Sequence, residues 1–210
     1  GEKERGFAIG QAAFARAYCY FWAARLWGDV PLNLVPIESV SQPECYPVRA
    51  PKADVYAQIA VDIQTALDNA ANLGTECYFA TKTAVNILKA EYALWMYTNQ
   101  KGGDSYLTMA SEAVAALDLT SGALLDDYSQ VFSNGNKENK EIAFALSNNQ
   151  AEKLTGGFYE YFYLGNSSIY KDYQNKPVPV ASTQWWGFQP TFMKRLRDSR
   201  DIEGDKRVAT

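Results

Sequence analysis

Apolar residues recur at helical spacing through the first 117 positions and lose that period afterwards. Phe7, Phe14, Tyr18, Phe21 and Arg25 stand three, four or seven apart with alanines between them, which predicts a helix over Gly6–Trp27. Gly28 is placed to end it, and Pro31 forbids continuation. Val30–Pro51 holds Pro31, Pro36, Pro43, Pro47 and Pro51, so it reads as an ordered extended connection. A second helix is expected over Pro51–Leu73, with Val55, Ile59, Ile63, Ala66, Leu67 and Ala70 as its stripe. A third is expected over Thr81–Asn99, with Thr81 as N-cap and Ala84, Val85, Leu88, Tyr92, Trp95 and Met96 inward. After the turn Asn99–Gly103, Asp104 is expected to cap a fourth helix ending near Leu117, its inward face Tyr106, Met109, Ala110, Ala113 and Leu117. The last two helices, joined by a short turn and rich in small residues, form an αα-hairpin of tetratricopeptide type.

Beyond residue 120 the pattern changes. Asp126–Phe132 reads as a loop or short helix, Ser133–Lys140 as a polar turn, and Glu141–Leu146 (EIAFAL) as a short strand or extended segment. Phe158–Leu164 (FYEYFYL) is densely aromatic; its alternation puts Tyr159, Tyr161 and Tyr163 on one face, with core packing the expected use. Asn166–Thr183 has no helical period, Trp185-Trp186 follows, and Pro190 opens a last helix to about Arg197. Asp198–Arg207 alternates in charge and reads as a solvated loop. The fold class is therefore mainly α, with tetratricopeptide-like helical hairpins and a loop-rich, aromatic second half. Residues 1–120 form the helical-repeat scaffold. Residues 121–210 form the loop-rich part of the same domain and the expected ligand-binding side, since binding residues concentrate on loops held by rigid elements.

Composition narrows the chemistry. The chain of 210 residues has no histidine, which excludes Ser-His-Asp and Cys-His catalysis and the histidine zinc sites. Carboxylates, lysine or tyrosine remain for acid–base work. The 5 Trp, 14 Tyr and 10 Phe suit binding of sugars or peptides wherever they are not core. A net charge of −4 argues against a nucleic-acid partner. Cys19, Cys45 and Cys77 are odd in number and widely spaced, which disfavours a disulfide framework or metal cluster; Cys19 is expected to pack as a small hydrophobe. No targeting segment is read in the charged start Gly1-Glu2-Lys3-Glu4-Arg5, and Ala12–Trp27, interrupted by Arg16 and Arg25, is too short and charged to span a bilayer.

The run from Arg16 to Leu32, with Arg16-Ala17, Tyr20-Phe21 and an intact RLWGDVPL at Arg25–Leu32, resembles a signature of the SusD/RagB-like family of nutrient-binding lipoproteins. Val55–Leu67, Thr81–Tyr97, the EIAF of Glu141–Phe144 and Asp205-Lys206-Arg207-Val208, similar to a DPRV-like motif with Lys206 for Pro, follow in the family's order. Members are longer, so the chain looks like an internal fragment without the lipid-bearing cysteine. The resemblance implies a tetratricopeptide-like protein of the cell-surface face of the outer membrane. Its contact with the membrane would be through an N-terminal lipid anchor absent from this chain. It would capture oligosaccharide, or in RagB-like members peptide, for a TonB-dependent SusC-like transporter, with no bond broken, no catalytic residue and no cofactor or metal.

For ligand contact the candidates are Trp185, Trp186, Tyr170 and Tyr173. Adjacent residues on an extended segment face opposite ways, so one of the two tryptophans is placed to offer a stacking platform to a sugar's C–H face. The two tyrosines lie in the loop after EIAF, where the family's glycan-contacting aromatics tend to fall. Trp22, Trp27, Tyr92 and Trp95 sit on helix stripes and are expected in the core or at helix contacts. RLWGDVPL reads as structural: Gly28 and Pro31 end a helix, Leu26 and Val30 pack, and Arg25 can pair with Asp29 four residues on. Ser168-Ile169-Tyr170-Lys171 spells SxxK without its enzymatic partner motifs. Asp198, Asp201, Glu203 and Asp205 lack the spacing of a calcium loop. Two other classes stay open at this level: a helical scaffold acting through protein contacts alone, and a helical glycoside hydrolase, for which no carboxylate pair can be nominated.

Overall fold

A computed structural model describes residues 1–70, 73–74, 76–117, 124–146, 190–202 and 204. Helix α1 spans Glu2–Trp27, α2 Lys52–Asp68, α3 Lys82–Gln100, α4 Ser105–Ala115 and α5 Pro190–Asp201. The described part is mainly α, as the periodicity predicts. The chain divides into two compact units. The first comprises Gly1–Leu125 with Gly135–Ala145, and the second Asp126–Asn134 with Leu146–Thr210.

In the first unit α1 and α2 lie antiparallel. Gly10 of α1 faces Asn69 just past the end of α2, while Asp29 beyond α1 reaches the first residue of α2. A Cβ at Gly10 would sit 3.2 Å from the Asn69 Cβ and 2.6 Å from a Leu73 methyl, so a larger residue at this end of the seam would push the Leu73 side chain aside. The rest of the seam is Ala13, Phe14, Ala17, Phe21 and Ala24 against Val55, Ile59, Ile63 and Ala66, all buried. Helix α3 adds Ala84, Val85, Leu88 and Tyr92 to the same core. The expected αα-hairpin is present: α4 folds back on α3 with Ala110 and Ala113 buried. Thr81 caps α3 by accepting from the Ala84 N–H at 3.0 Å. Asp104 occupies the N-cap position of α4, but its side chain makes no capping bond, because its backbone is already helical (φ −67, ψ −19) rather than extended. Helix α2 stops at Asp68 rather than near Leu73, its last turn closed by the Asn69 side chain donating to the Thr65 carbonyl.

The proline-rich connection is anchored at both ends, and it is not extended throughout: Pro43–Cys45 forms a 3₁₀ turn, with Pro43 at its first position where no N–H is needed. Val30-Pro31 (β1) pairs antiparallel with Arg49-Ala50 (β2), in the register Val30 to Ala50 and Pro31 to Arg49. The Tyr20 hydroxyl accepts from the Asn33 N–H at 2.7 Å, tying the start of the connection to α1. The Gln11 side chain clamps Ala80, donating to its carbonyl at 3.0 Å and accepting from its N–H at 2.8 Å.

Glu141–Leu146 forms no strand. The Ala145 N–H reaches the Cys77 carbonyl at 2.8 Å, while the Ile142 N–H turns back to the Asn139 carbonyl at 3.0 Å, and a ladder needs repeated pairing to one partner strand. The segment is instead a plug: Phe144 packs edge-on against Phe14 at 5.0 Å and against Tyr18 at 5.8 Å between centroids.

In the second unit, a single 3₁₀ turn covers Tyr128–Gln130, capped by Asp127 accepting from the Ser129 N–H at 2.9 Å. Helix α5 begins at Pro190 as expected and runs four residues past Arg197, so part of the charged tail is helical; Lys194 and Asp198 pair along it at 2.6 Å.

Candidate ligand-binding surface

Trp185, Trp186, Tyr170 and Tyr173 lie outside the described residues, as do Tyr159, Tyr161 and Tyr163. The geometry available for a site is therefore that of the helical unit, built around the RLWGDVPL run.

That run is a joint. Gly28 takes φ 72, a conformation L side chains rarely adopt, and its N–H closes α1 on the Ala24 carbonyl at 3.0 Å. Arg25 and Asp29 do not pair. The Asp29 carboxylate accepts from the Lys52 N–H at 2.8 Å, so it satisfies a free donor at the start of α2, where the helix dipole also favours negative charge. The Arg25 guanidinium instead lies over three rings, Phe21, Trp22 and Trp95, at 4.8–4.9 Å from their centroids.

Two helix-stripe expectations fail at this end of α1. Trp22 is 43% and Trp27 66% exposed, whereas Tyr92 is buried and Trp95 half-buried as expected. The buried seam runs through Phe14, Ala17, Phe21 and Ala24, so Trp22 is a full residue step, about 100°, away from it. Trp27 is the last residue of the helix, beyond the buried seam that ends at Ala24. Leu26 is likewise exposed while Val30 packs. Cys19, two steps from both Ala17 and Phe21, faces outward rather than packing; Cys77 is the buried cysteine.

Behind the Arg25 cluster the polar groups are paired. The Trp95 indole donates to the Tyr56 hydroxyl at 2.8 Å, and the Tyr92 hydroxyl donates to the Tyr56 carbonyl at 3.1 Å. Burial pushes the Tyr92 phenol well above its ordinary range, with Tyr106 beside it adding to the effect. The central polar feature escaped the sequence reading. Asp62, 1% exposed on the apolar face of α2, receives Arg16 Nε and Nη2, each at 2.7 Å, and Gln58 Nε2 at 2.8 Å. The fork holds Arg16 protonated, its proton affinity raised by that bond. A charge interrupting each apolar stripe, Arg16 in α1 and Asp62 in α2, was the available signal.

At the other end of the unit, a cleft of about 650 Å³ opens between the end of α2, the start of α3 and residues 138–143, with Thr81, Lys82, Glu138 and Lys140 on its walls. Among the described residues no group of three or more acidic or cysteine side chains is disposed to hold a metal. No helix among them is long and apolar enough to cross a membrane.

The described residues thus define a class: a helical scaffold of packed antiparallel pairs, cemented by one buried ion pair and an aromatic cluster. No protein family's sequence profile matches the chain, and no curated protein matches it. Solved structures do. The chain is similar to NanU of B. fragilis, with 31% identity and a TM-score of 0.62 over 72% of this chain and 30% of that one. It is similar to a SusD superfamily protein from Bacteroides vulgatus (30%, 0.62, 76% and 33%) and to another from Bacteroides fragilis (26%, 0.64, 78% and 34%). The chain belongs to the SusD superfamily. It spans about a third of the length of these structures.

Proposed function

We propose that the chain is part of a cell-surface protein that captures oligosaccharide without cleaving it and passes it to a TonB-dependent SusC-like transporter in the outer membrane, the whole protein being held there by a lipid anchor. The observation that carries this reading is the match to SusD superfamily structures at 26–31% identity. On this reading the helical unit is the rigid frame, and Trp185, Trp186, Tyr170 and Tyr173 supply ligand contacts. Indole and phenol rings offer flat apolar surface to pyranose C–H groups at little conformational cost, while their polar edges and nearby backbone groups take the hydroxyls. No step of bond cleavage is needed, and the chain acts by binding alone.

The experiment is a titration with a panel of neutral and acidic oligosaccharides, read by tryptophan fluorescence and followed by analysis of the mixture for new reducing ends. Saturable binding without new ends is the expected result. Binding of peptides with no glycan bound moves the assignment to a peptide-capturing RagB-like protein, and release of sugar overturns the non-catalytic reading.

A further inference from the structure

A guanidinium set among three aromatic rings and, among the described residues, joined to no acid is an unusual arrangement, because fixed arginines normally pair with carboxylates. Arg25 is in that state. Its central carbon lies 4.9 Å from the Phe21 centroid, 4.8 Å from Trp22 and 4.9 Å from Trp95. Among the described residues it makes no ion pair or hydrogen bond. The carboxylate nearest in sequence, Asp29, is committed to the Lys52 N–H. The rings themselves are fixed: Phe21 is 1% exposed, Phe21 and Trp95 meet edge-on at 6.4 Å, and the Trp95 indole is tied to Tyr56. Arg25 is partly exposed, and the rings around its guanidinium leave the side chain little orientational entropy to lose. Trp22 beside it is 43% exposed and Trp27 at the helix end 66% exposed.

From this geometry we infer that the C-terminal end of α1 is a recognition point for a carboxylate carried on a sugar ring. The carboxylate lies in the plane of the Arg25 guanidinium, and the exposed surface of Trp22 takes the apolar face of the pyranose. Arginine suits this role through bidentate geometry, which a lysine point charge does not supply. The chain's net charge of −4 gives no long-range attraction for an anion, so selection rests on the local fork and the affinity is modest, about millimolar for a monosaccharide. This inference is independent of oligosaccharide capture by the rings of the second half, and the test separates the two.

The full chain is titrated with glucuronate, with glucose as the neutral ring and N-acetylglycine as a carboxylate without a ring, following the Arg25 Nε–Hε resonance and binding heat. Glucuronate is expected to move that resonance and bind, glucose to leave it unmoved, and N-acetylglycine to bind more weakly than glucuronate. Arg25→Gln is expected to weaken glucuronate binding at least about tenfold, the loss of a charged hydrogen-bond pair, and Arg25→Lys to restore little of it. Unchanged near-ultraviolet dichroism shows that each variant keeps its ring packing. In a Trp185→Ala/Trp186→Ala chain the glucuronate response is expected to persist whether or not oligosaccharide capture survives. Equal binding of glucose and glucuronate, N-acetylglycine matching glucuronate, undiminished binding in a folded Arg25→Gln, or an unmoved Arg25 resonance at saturating glucuronate overturns the inference.

Discussion

Breaking the Arg16–Asp62 pair should produce an unequal pattern of losses. The Asp62 carboxylate is 1% exposed and is flanked along α2 by the buried Ile59 and Ile63, with two of its three hydrogen bonds coming from Arg16. In Arg16→Met the carboxylate keeps Gln58 alone as a hydrogen-bond partner. Removing one partner of a buried pair costs about 3–5 kcal/mol, and the 38% exposure of the Arg16 side chain, which lets water approach the vacated side, places this case near 3. In Asp62→Leu the orphan is Arg16, which can turn to solvent, so the loss is smaller, about 1–2 kcal/mol. In the double variant no buried charge is left and the helices meet through apolar groups, so stability should return to within about 1 kcal/mol of the parent. Urea unfolding of all four chains with the slope checked for constancy gives the cycle, and a coupling of about 3 kcal/mol or more is expected. Equal single losses that simply add in the double variant would refute the burial asymmetry on which the reasoning rests.

Three further perturbations test the joints of the helical unit. Asp29→Ala leaves the Lys52 N–H without its acceptor and should lower stability by about 1 kcal/mol, read as a shift in urea midpoint. Lys101 ends α3 at φ 55, a left-handed conformation that disfavours a side chain, so Lys101→Gly should raise stability by up to about 1 kcal/mol in the same assay. The Tyr92 phenol holds its proton longer in the folded chain than in the unfolded one. Its contribution is therefore fully present below the ordinary tyrosine value of about 10, and it is lost as pH rises from there toward the higher folded value. Ultraviolet titration should show one tyrosine ionising well after the exposed ones, and Tyr92→Phe should remove that late step.

Much of the helical frame was legible because its apolar stripes are long and regular. Val55, Ile59, Ile63 and Ala66 on α2, and Ala84, Val85, Leu88 and Tyr92 on α3, are buried as their spacing predicts. The failures sit where periodicity carries no information. Trp22 lies one step off the seam and Trp27 at the helix end, so size and hydrophobicity suggested a burial that their positions on α1 do not give. Glu141–Leu146 has the residues of a strand, yet strands are made by partners, and its role is set by Phe144 reaching Phe14 and Tyr18. Local spacing suggested that Asp29 would meet Arg25; its partner is the N–H of Lys52, 23 residues away. The Arg16–Asp62 pair spans 46 residues and is a tertiary fact that the two charges only hint at. Of the candidate site, the RLWGDVPL joint was legible as structure, since glycine and proline act locally. The use of Arg25 was not, because the rings that hold it come from two helices.

The central proposal is that this chain captures glycan and that Trp185 and Trp186 take part in the contact. Calorimetric titration of the parent chain and of Trp185→Ala/Trp186→Ala with a glycan panel tests it most directly. The account predicts saturable binding of at least one oligosaccharide by the parent, at least about a tenfold loss in the double variant from removing aromatic stacking surface, and unchanged urea stability of the helical unit. Undiminished glycan binding by the double variant, or binding to none of the glycans by a folded parent chain, would contradict it.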